Sequence, residues 1–277
     1  LCQFIRRESA IVLEPGKEYL VESRLGPVAR REGLATVGEL VQRLQVTRAA
    51  SLRAQIVDAM TTNETSFFRD KVPFDQFRDV MLPALLTARR EDARLRIWCT
   101  AASSGQEPYS LAMIIDATAQ LAGWTIELVA SDINSEMIDR AKEGLYSQFE
   151  VLRGLPIQML ARHFHNEGGE WRLSSSIRRR VQFEVFNLID SFDTLGKFDA
   201  IFCRNVLIYF DARSRARVIE RLIDQLAVGG YLFVGHAESL SGMTSRVRHI
   251  MPTIYRLSED HPREPALAGA ELEQSTA

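Results

Sequence analysis

Two carboxylates stand where this chain could hold a cationic, nucleotide-like ligand. Glu107 follows Thr100-Ala101-Ala102-Ser103-Ser104-Gly105-Gln106 and precedes Pro108, at the start of an expected helix entered through a small-residue turn. Turns of this kind hold nucleotide-like ligands in doubly wound sheets. Ala101 and Ser103 stand where the dinucleotide pattern G-x-G-x-x-G needs glycine. An acid at the helix start would repel a pyrophosphate but suits an ammonium or a sulfonium, and S-adenosylmethionine carries both. Taken alone, the turn reads equally well as tight packing. Asp132 lies 27 residues beyond Gly105, near the end of the apolar run Ile126–Asn134. A carboxylate at the tip of the second strand of a βαβ unit accepts hydrogen bonds from ribose hydroxyls; the alternative is a cap for the helix expected over Ser135–Glu143.

These acids need a parallel sheet to bring them together. Ile97-Trp98-Cys99 reads as a first strand and Ile126–Asn134 as a second; Val181–Phe186 leads to Asn187 and Leu188, and Phe198–Cys203 leads to Arg204, Asn205 and on to Tyr209 and Phe210. Polar side chains at the end of an apolar strand are poor core material and good site material. A fifth strand is expected over Gly230–Ser239 after a Gly229-Gly230 turn, and a terminal one over Thr253–Leu257. The fold expected is α/β and doubly wound, with a helical amino-terminal domain over residues 1–70, a linking helix within 71–92 (near Val72 to Thr87), the sheet domain over 93–257, an antiparallel insertion at about 165–182, and a disordered tail or linker over 258–277. Thr36-Val37-Gly38-Glu39 has capping-box spacing ahead of apolar Leu40, Val41 and Leu44.

Composition narrows the function. A chain of 277 residues, 46% hydrophobic and 25% charged, can bury one large core and a smaller one. A net charge of -2 offers no general attraction to nucleic acid. Cys2, Cys99 and Cys203 are an odd number, two of them in expected buried strands, which points to reduced packing residues. His163 and His165 lack partners at ligand spacing and are expected at the surface, so no metal is implied. No apolar run reaches the roughly 18 residues of a membrane span.

Between the helical stretches upstream lies Thr62-Asn63-Glu64-Thr65-Ser66-Phe67-Phe68-Arg69-Asp70. Together with Ala101-Ala102-Ser103-Ser104-Gly105-Gln106-Glu107-Pro108-Tyr109-Ser110, Ala130–Asn134, Cys203–Phe210 and His236–Leu240, it resembles the bacterial chemotaxis receptor methyltransferase (CheR) family over about Leu13 to Leu257. Several ordered motifs of this length carry weight that one short pattern does not.

The resemblance implies a Rossmann-like S-adenosylmethionine-dependent methyltransferase sheet and a protein-glutamate O-methyltransferase acting on the cytoplasmic domain of methyl-accepting receptors, with S-adenosylhomocysteine as the product. It implies cofactor contacts from Asn63, Thr65, Arg69, Glu107, Asp132, Asn187, Leu188, Arg204 and Asn205, and a transfer site at Arg69 and Tyr209. It also implies that a basic helix carrying Arg24, Arg30 and Arg31 faces the acidic methylation region of the receptor; the alternative is a solvated helix face. Some relatives dock a receptor carboxyl-terminal pentapeptide on a longer glycine-containing loop than Asn166-Glu167-Gly168-Gly169-Glu170, so no such tether is expected here. Arg178-Arg179-Arg180 reads as a docking patch or as a soluble turn. The expected compartment is the cytoplasm, with no nucleic acid and no insertion into the membrane. Two rival functions fit a similar sheet: a nicotinamide-dependent oxidoreductase and a catalytically silent receptor-binding module.

Overall fold

The computed structural model describes residues 1–258 apart from Arg48; the tail or linker expected over 258–277 lies outside the described residues beyond Ser258. Four helices come first: α1 (Cys2–Ser9), α2 (Glu18–Arg31), α3 (Val37–Val46) and α4 (Ala50–Met60). Their apolar stripes meet in a core of their own, in which Ile5, Leu25, Leu40 and Ile56 are fully buried. The Thr36 hydroxyl accepts the Glu39 amide at 3.1 Å and so caps α3, while the Glu39 carboxylate reaches the Ala35 amide, one residue short of a full capping box.

The linking helix is not one regular helix. It runs as α5 (Val72–Gln76), a π turn over Phe77–Met81 and α6 (Leu82–Ala88). Pro83 has no amide to donate to the preceding turn, and the widened turn, in which Leu82 N–H reaches Phe77 O, absorbs that fault.

Next come β1 (Arg94–Cys99), α7 (Gln106–Ala117), β2 (Thr125–Asp132), α8 (Ser135–Glu143), β3 (Leu145–Ser147), α9 (Gln148–Leu152), α10 (Ile157–His163), β4 (Phe164–Glu167), β5 (Glu170–Leu173), α11 (Ser175–Arg178), β6 (Val181–Val185), β7 (Phe198–Cys203), α12 (Ala212–Asp224), β8 (Leu226–Val234), β9 (Val247–Met251) and β10 (Ile254–Leu257). The main sheet has the order β6-β2-β1-β7-β8-β10-β9. Its first five strands are parallel and β10 is antiparallel to both its neighbours. The order reverses at β1, and the crevice beyond the carboxyl ends of β1 and β7 is where such sheets take ligands. Each face is packed: Phe202 stacks on Phe233 at 4.1 Å between centroids on one side, and Trp98 lies against Phe192 and Phe198 on the other.

Three expectations need correction. Strand β8 starts at Leu226 and ends at Val234, because Gly229 and Gly230 form an irregularity inside the strand, opposite Phe198–Ala200, and not a turn before it. The antiparallel insertion reaches back beyond 165: β5 pairs with β4 and also with β3 at Leu145–Ser147, too short a strand to stand out in the sequence. His163 is buried, not at the surface, and burial lowers its pKa; His165 is exposed as expected, beside Glu167 at 2.9 Å.

Candidate functional site

The glycine turn is built by the sheet edge. Thr100 N–H donates to Phe202 O and Ala102 N–H to Ser131 O, so the chain leaving β1 is pinned to β7 and β2 at once. Gly105 has φ +95°, and a Cβ there would sit 3.0 Å from both Ala141 and the Tyr109 ring; the tight entry to α7 therefore requires glycine. Glu107 falls in the first turn of α7, where the helix dipole favours an anion. Its carboxylate accepts from Arg204 Nη1 at 2.7 Å, yet burial pushes its pKa above the ordinary carboxylate value against the pull of that guanidinium.

Asp132 ends β2 facing the same turn. One oxygen accepts Ser103 N–H at 2.8 Å and the other accepts Asn134 N–H at 2.9 Å. Burial raises its pKa too, and these two amides oppose the rise. The cap of α8 is Asn134, which accepts Met137 N–H at 3.0 Å, so helix capping does not account for Asp132.

Both acids line one cleft of about 840 Å³, measured out to its open mouth. Every residue assigned to cofactor or transfer from the sequence lines it as well: Asn63, Thr65, Arg69, Asn187, Leu188, Arg204, Asn205 and Tyr209. Arg69 and Tyr209, 140 positions apart, both line it. Arg69 Nη1 donates to Glu64 O at 2.7 Å. Tyr209 lies in a 3-10 turn over Leu207–Tyr209 and is half-buried.

Arg204 does more than the sequence implied. Its guanidinium ties Glu107 to Asp70, at 2.7 Å each, and to Arg69 O at 3.0 Å, locking the segment between α4 and α5 onto the sheet. That segment is strained, with Phe68, Asp70 and Lys71 all at positive φ. Further bonds fix it: Ser103 Oγ to Asn63 O at 2.8 Å and Phe68 N–H to Ser110 Oγ at 2.9 Å.

The three arginines of α2 part company. Arg24 donates to Met60 O, Thr61 O and Thr62 Oγ1 at 2.8 to 3.1 Å, so its guanidinium is committed inside the protein. Arg31 stands 3.8 Å from Glu136, and Arg30 is exposed with no ion pair among the described residues.

Sequence reasoning missed two contributions. Ser9, at the end of α1, and Ile11, just after it, also line the cleft, anchored by Asn187 Nδ2 to Glu8 O at 2.6 Å and by an Ile11–Phe210 bridge. Glu238 accepts backbone amides of the turn that carries Arg204 and Asn205. Neither is visible in a local pattern, since both rest on main-chain groups far away in sequence.

The donor set fits S-adenosylmethionine. Glu107 offers an anion to its amino end and Asp132 an anion to its ribose, while Ile133, Phe186 and Leu188 give the cleft an apolar wall suited to adenine. Arg204 Nε is buried without a partner among the described residues. No group of three or more His, Cys, Asp or Glu among the described residues is placed to hold a metal ion.

Comparison with known proteins agrees with this geometry. A family model described as "CheR methyltransferase, SAM binding domain" matches residues 63–256, and one described as "CheR methyltransferase, all-alpha domain" matches residues 1–61. Chemotaxis protein methyltransferase 1 of Pseudomonas aeruginosa is 45% identical over 246 residues, 87% of this chain and 89% of that protein. Chemotaxis protein methyltransferase Cher2 of Pseudomonas putida is 43% identical over the same shares. The chemotaxis protein methyltransferase of Escherichia coli is 34% identical over 94% of this chain and 90% of its own length.

Proposed function

Since this chain belongs to the CheR methyltransferase family, we propose that it transfers methyl groups to glutamate carboxylates of methyl-accepting chemotaxis receptors. S-adenosylmethionine is the cofactor and methyl transfer the reaction class, and the nicotinamide alternative falls with that. Bound in the cleft, S-adenosylmethionine supplies an electrophilic methyl group on a sulfonium. The observation that supports the glutamate reading is that Arg69 and Tyr209 line the same cleft as Glu107 and Asp132.

A glutamate is ionised at neutral pH and needs no strong base. What it needs is alignment and loss of water. Arg69 is suited to hold the carboxylate oxygen that does not react, because a guanidinium forks onto a carboxylate. Tyr209 is suited to donate a hydrogen bond beside the methyl. Asn63, Thr65, Asn187, Leu188 and Asn205 line the cleft and contact the cofactor along its length, and Glu107, Asp132 and Arg204 hold its ends.

The receptor's cytoplasmic domain is the partner in this reading, which puts the enzyme in the cytoplasm; no helix among the described residues is long and apolar enough to cross a membrane. Docking falls to Arg30 and Arg31, with Arg24 holding the helix. Tethering through a receptor carboxyl-terminal pentapeptide has no part in it: β4 and β5 join through Gly168 and Gly169 alone, both at positive φ, a two-residue hairpin without a longer loop to receive a peptide.

The test is transfer of radiolabelled methyl from S-adenosylmethionine to a panel of purified receptor cytoplasmic domains, followed by mild base. A methyl ester releases its label as volatile methanol. Label that resists base, or no transfer to any receptor at all, overturns the proposal, and the second result would favour the silent receptor-binding module.

A further inference from the structure

Glu238 is buried, with 5% of its surface exposed, and lies just past the end of β8. Its Oε2 accepts Asn205 N–H at 2.8 Å and Gly235 N–H at 2.6 Å; its Oε1 accepts Val206 N–H at 2.8 Å and Ile208 N–H at 3.3 Å. One carboxylate thus gathers four main-chain donors, three of them from the turn after β7. A carboxylate bonded to several amides is among the stronger arrangements a buried anion can have.

That turn is not a conformation the chain adopts freely. Asn205 has φ +58°, and Val206 leaves the helical and extended regions at φ -125° and ψ -39°. Without the carboxylate, the amides of Asn205, Val206 and Ile208 would lose their acceptor at the edge of the cleft. The approach is also too close for a side chain at the neighbouring position. A Cβ on Gly235 would lie 2.6 Å from Glu238 Oε2 and 2.8 Å from Asn205 Nδ2. The glycine, the anion and the left-handed asparagine form one unit.

The unit's outputs all face the cleft. Arg204 precedes Asn205 and binds Glu107 and Asp70; Asn205 and Tyr209 line the cavity. Glu238 does not line it. We propose that Glu238 is a positioning residue for methyl transfer, an anionic staple that fixes the turn between β7 and α12 so that Arg204, Asn205 and Tyr209 point into the cleft together. This rests on the proposed roles of those three residues.

The test uses the full chain and its isosteric variant Glu238→Gln, whose amide keeps one acceptor oxygen and turns a second donor toward amides that already donate. Affinity for S-adenosylhomocysteine and turnover at saturating S-adenosylmethionine and receptor are measured well below the variant's melting temperature. Turnover is counted per ligand-binding site, so unfolded protein does not enter it. Expected is a loss of about tenfold or more in each, the scale of a positioning defect. Combining Glu238→Gln with Tyr209→Phe should cost less than the product of the single losses, because the first change already misplaces the tyrosine. A purely structural role would lower the melting temperature and leave both constants unchanged per site, which would overturn the assignment. Should Glu238→Gln not fold, hydrogen exchange of the unmodified protein decides: the Asn205 and Val206 amides should exchange as slowly as those of β7, and exchange at the rate of an exposed loop overturns the staple. Full turnover in Tyr209→Phe alone would instead remove the tyrosine from the reaction and leave the affinity arm to judge Glu238.

Discussion

The Arg204 guanidinium donates to the Glu107 carboxylate at 2.7 Å with both side chains withdrawn from solvent. The same group holds Asp70 and the carbonyl of Arg69, so the charge at the start of α7 and the seating of the 61–71 segment depend on one side chain. Removing one partner of a buried pair strands the other. Arg204→Met should therefore destabilise the fold by about 3–5 kcal/mol in chemical denaturation, and Arg204→Lys should recover only part, since an ammonium lacks the fork that spans two carboxylates. A loss under about 1 kcal/mol for the methionine variant, the value of an exposed pair, would show that the pair is not coupled to the fold.

Glu107 and Asp132 have carboxyl groups raised by burial, which gives ligand binding and stability opposite responses to pH. A group whose pKa is higher folded than unfolded contributes stability at low pH and loses it as pH rises through the folded value. A cationic ligand prefers the ionised acids. Affinity for S-adenosylmethionine should accordingly fall as pH drops, starting above the ordinary glutamate value of 4.5. The fall should be steeper than for S-adenosylhomocysteine, which lacks the sulfonium charge. Calorimetric titrations at a series of pH values that show flat affinity from neutrality to pH 4.5 would refute this.

Asp132→Asn tests the ribose contact. The amide keeps one acceptor but turns a donor toward either Ser103 N–H or Asn134 N–H, and the site loses a charged acceptor. Affinity for S-adenosylhomocysteine should fall by about 1–3 kcal/mol, roughly five- to 150-fold in Kd. Unchanged Kd would remove Asp132 from the cofactor site.

The arginines of α2 should separate into two phenotypes. Arg24→Ala breaks three hydrogen bonds to Met60, Thr61 and Thr62, directly before Asn63, and should lower both melting temperature and cofactor affinity. Arg30→Glu with Arg31→Glu should leave cofactor affinity intact, slow receptor methylation, and flatten the decline of rate with salt. A double charge reversal that keeps the wild-type rate at low salt would take this helix out of docking.

Much of this was legible in the sequence because it is written locally. Phe198–Cys203 is a mostly apolar run and becomes β7 at the same bounds; Asp132 stands at a strand end, where a polar residue is poor core material, and Glu107 stands in the first turn of the helix after β1. What was not legible depends on partners far along the chain. Nothing around Arg24 shows that its acceptors are carbonyls 36 and 37 residues on, and nothing around Glu238 shows four amides awaiting it. Gly229-Gly230 has the composition of a turn, and only its pairing opposite Phe198–Ala200 makes it part of a strand. Strand β9, Val247-Arg248-His249-Ile250-Met251, has too little apolar alternation to announce itself at the sheet edge.

Tyr209 carries the most exposed prediction. Its backbone is held on both sides: Val12 N–H donates to its carbonyl at 2.9 Å, and its own N–H reaches Val206 O at 3.1 Å. Tyr209 lines the cleft that Arg69 also lines. If the hydroxyl steadies the methyl in the transition state and not in the ground state, Tyr209→Phe should lower turnover while leaving the Kd for S-adenosylmethionine nearly unchanged. Arg69→Ala should harm both, because the same guanidinium lines the cofactor cleft and holds Glu64 O. The competing account makes Tyr209 an apolar wall with a wet hydroxyl, packed among Val206, Leu207 and Phe210. The two accounts differ in one number, turnover at saturating cofactor and receptor. A phenylalanine variant that retains full turnover there would leave Arg69 alone at the transfer site.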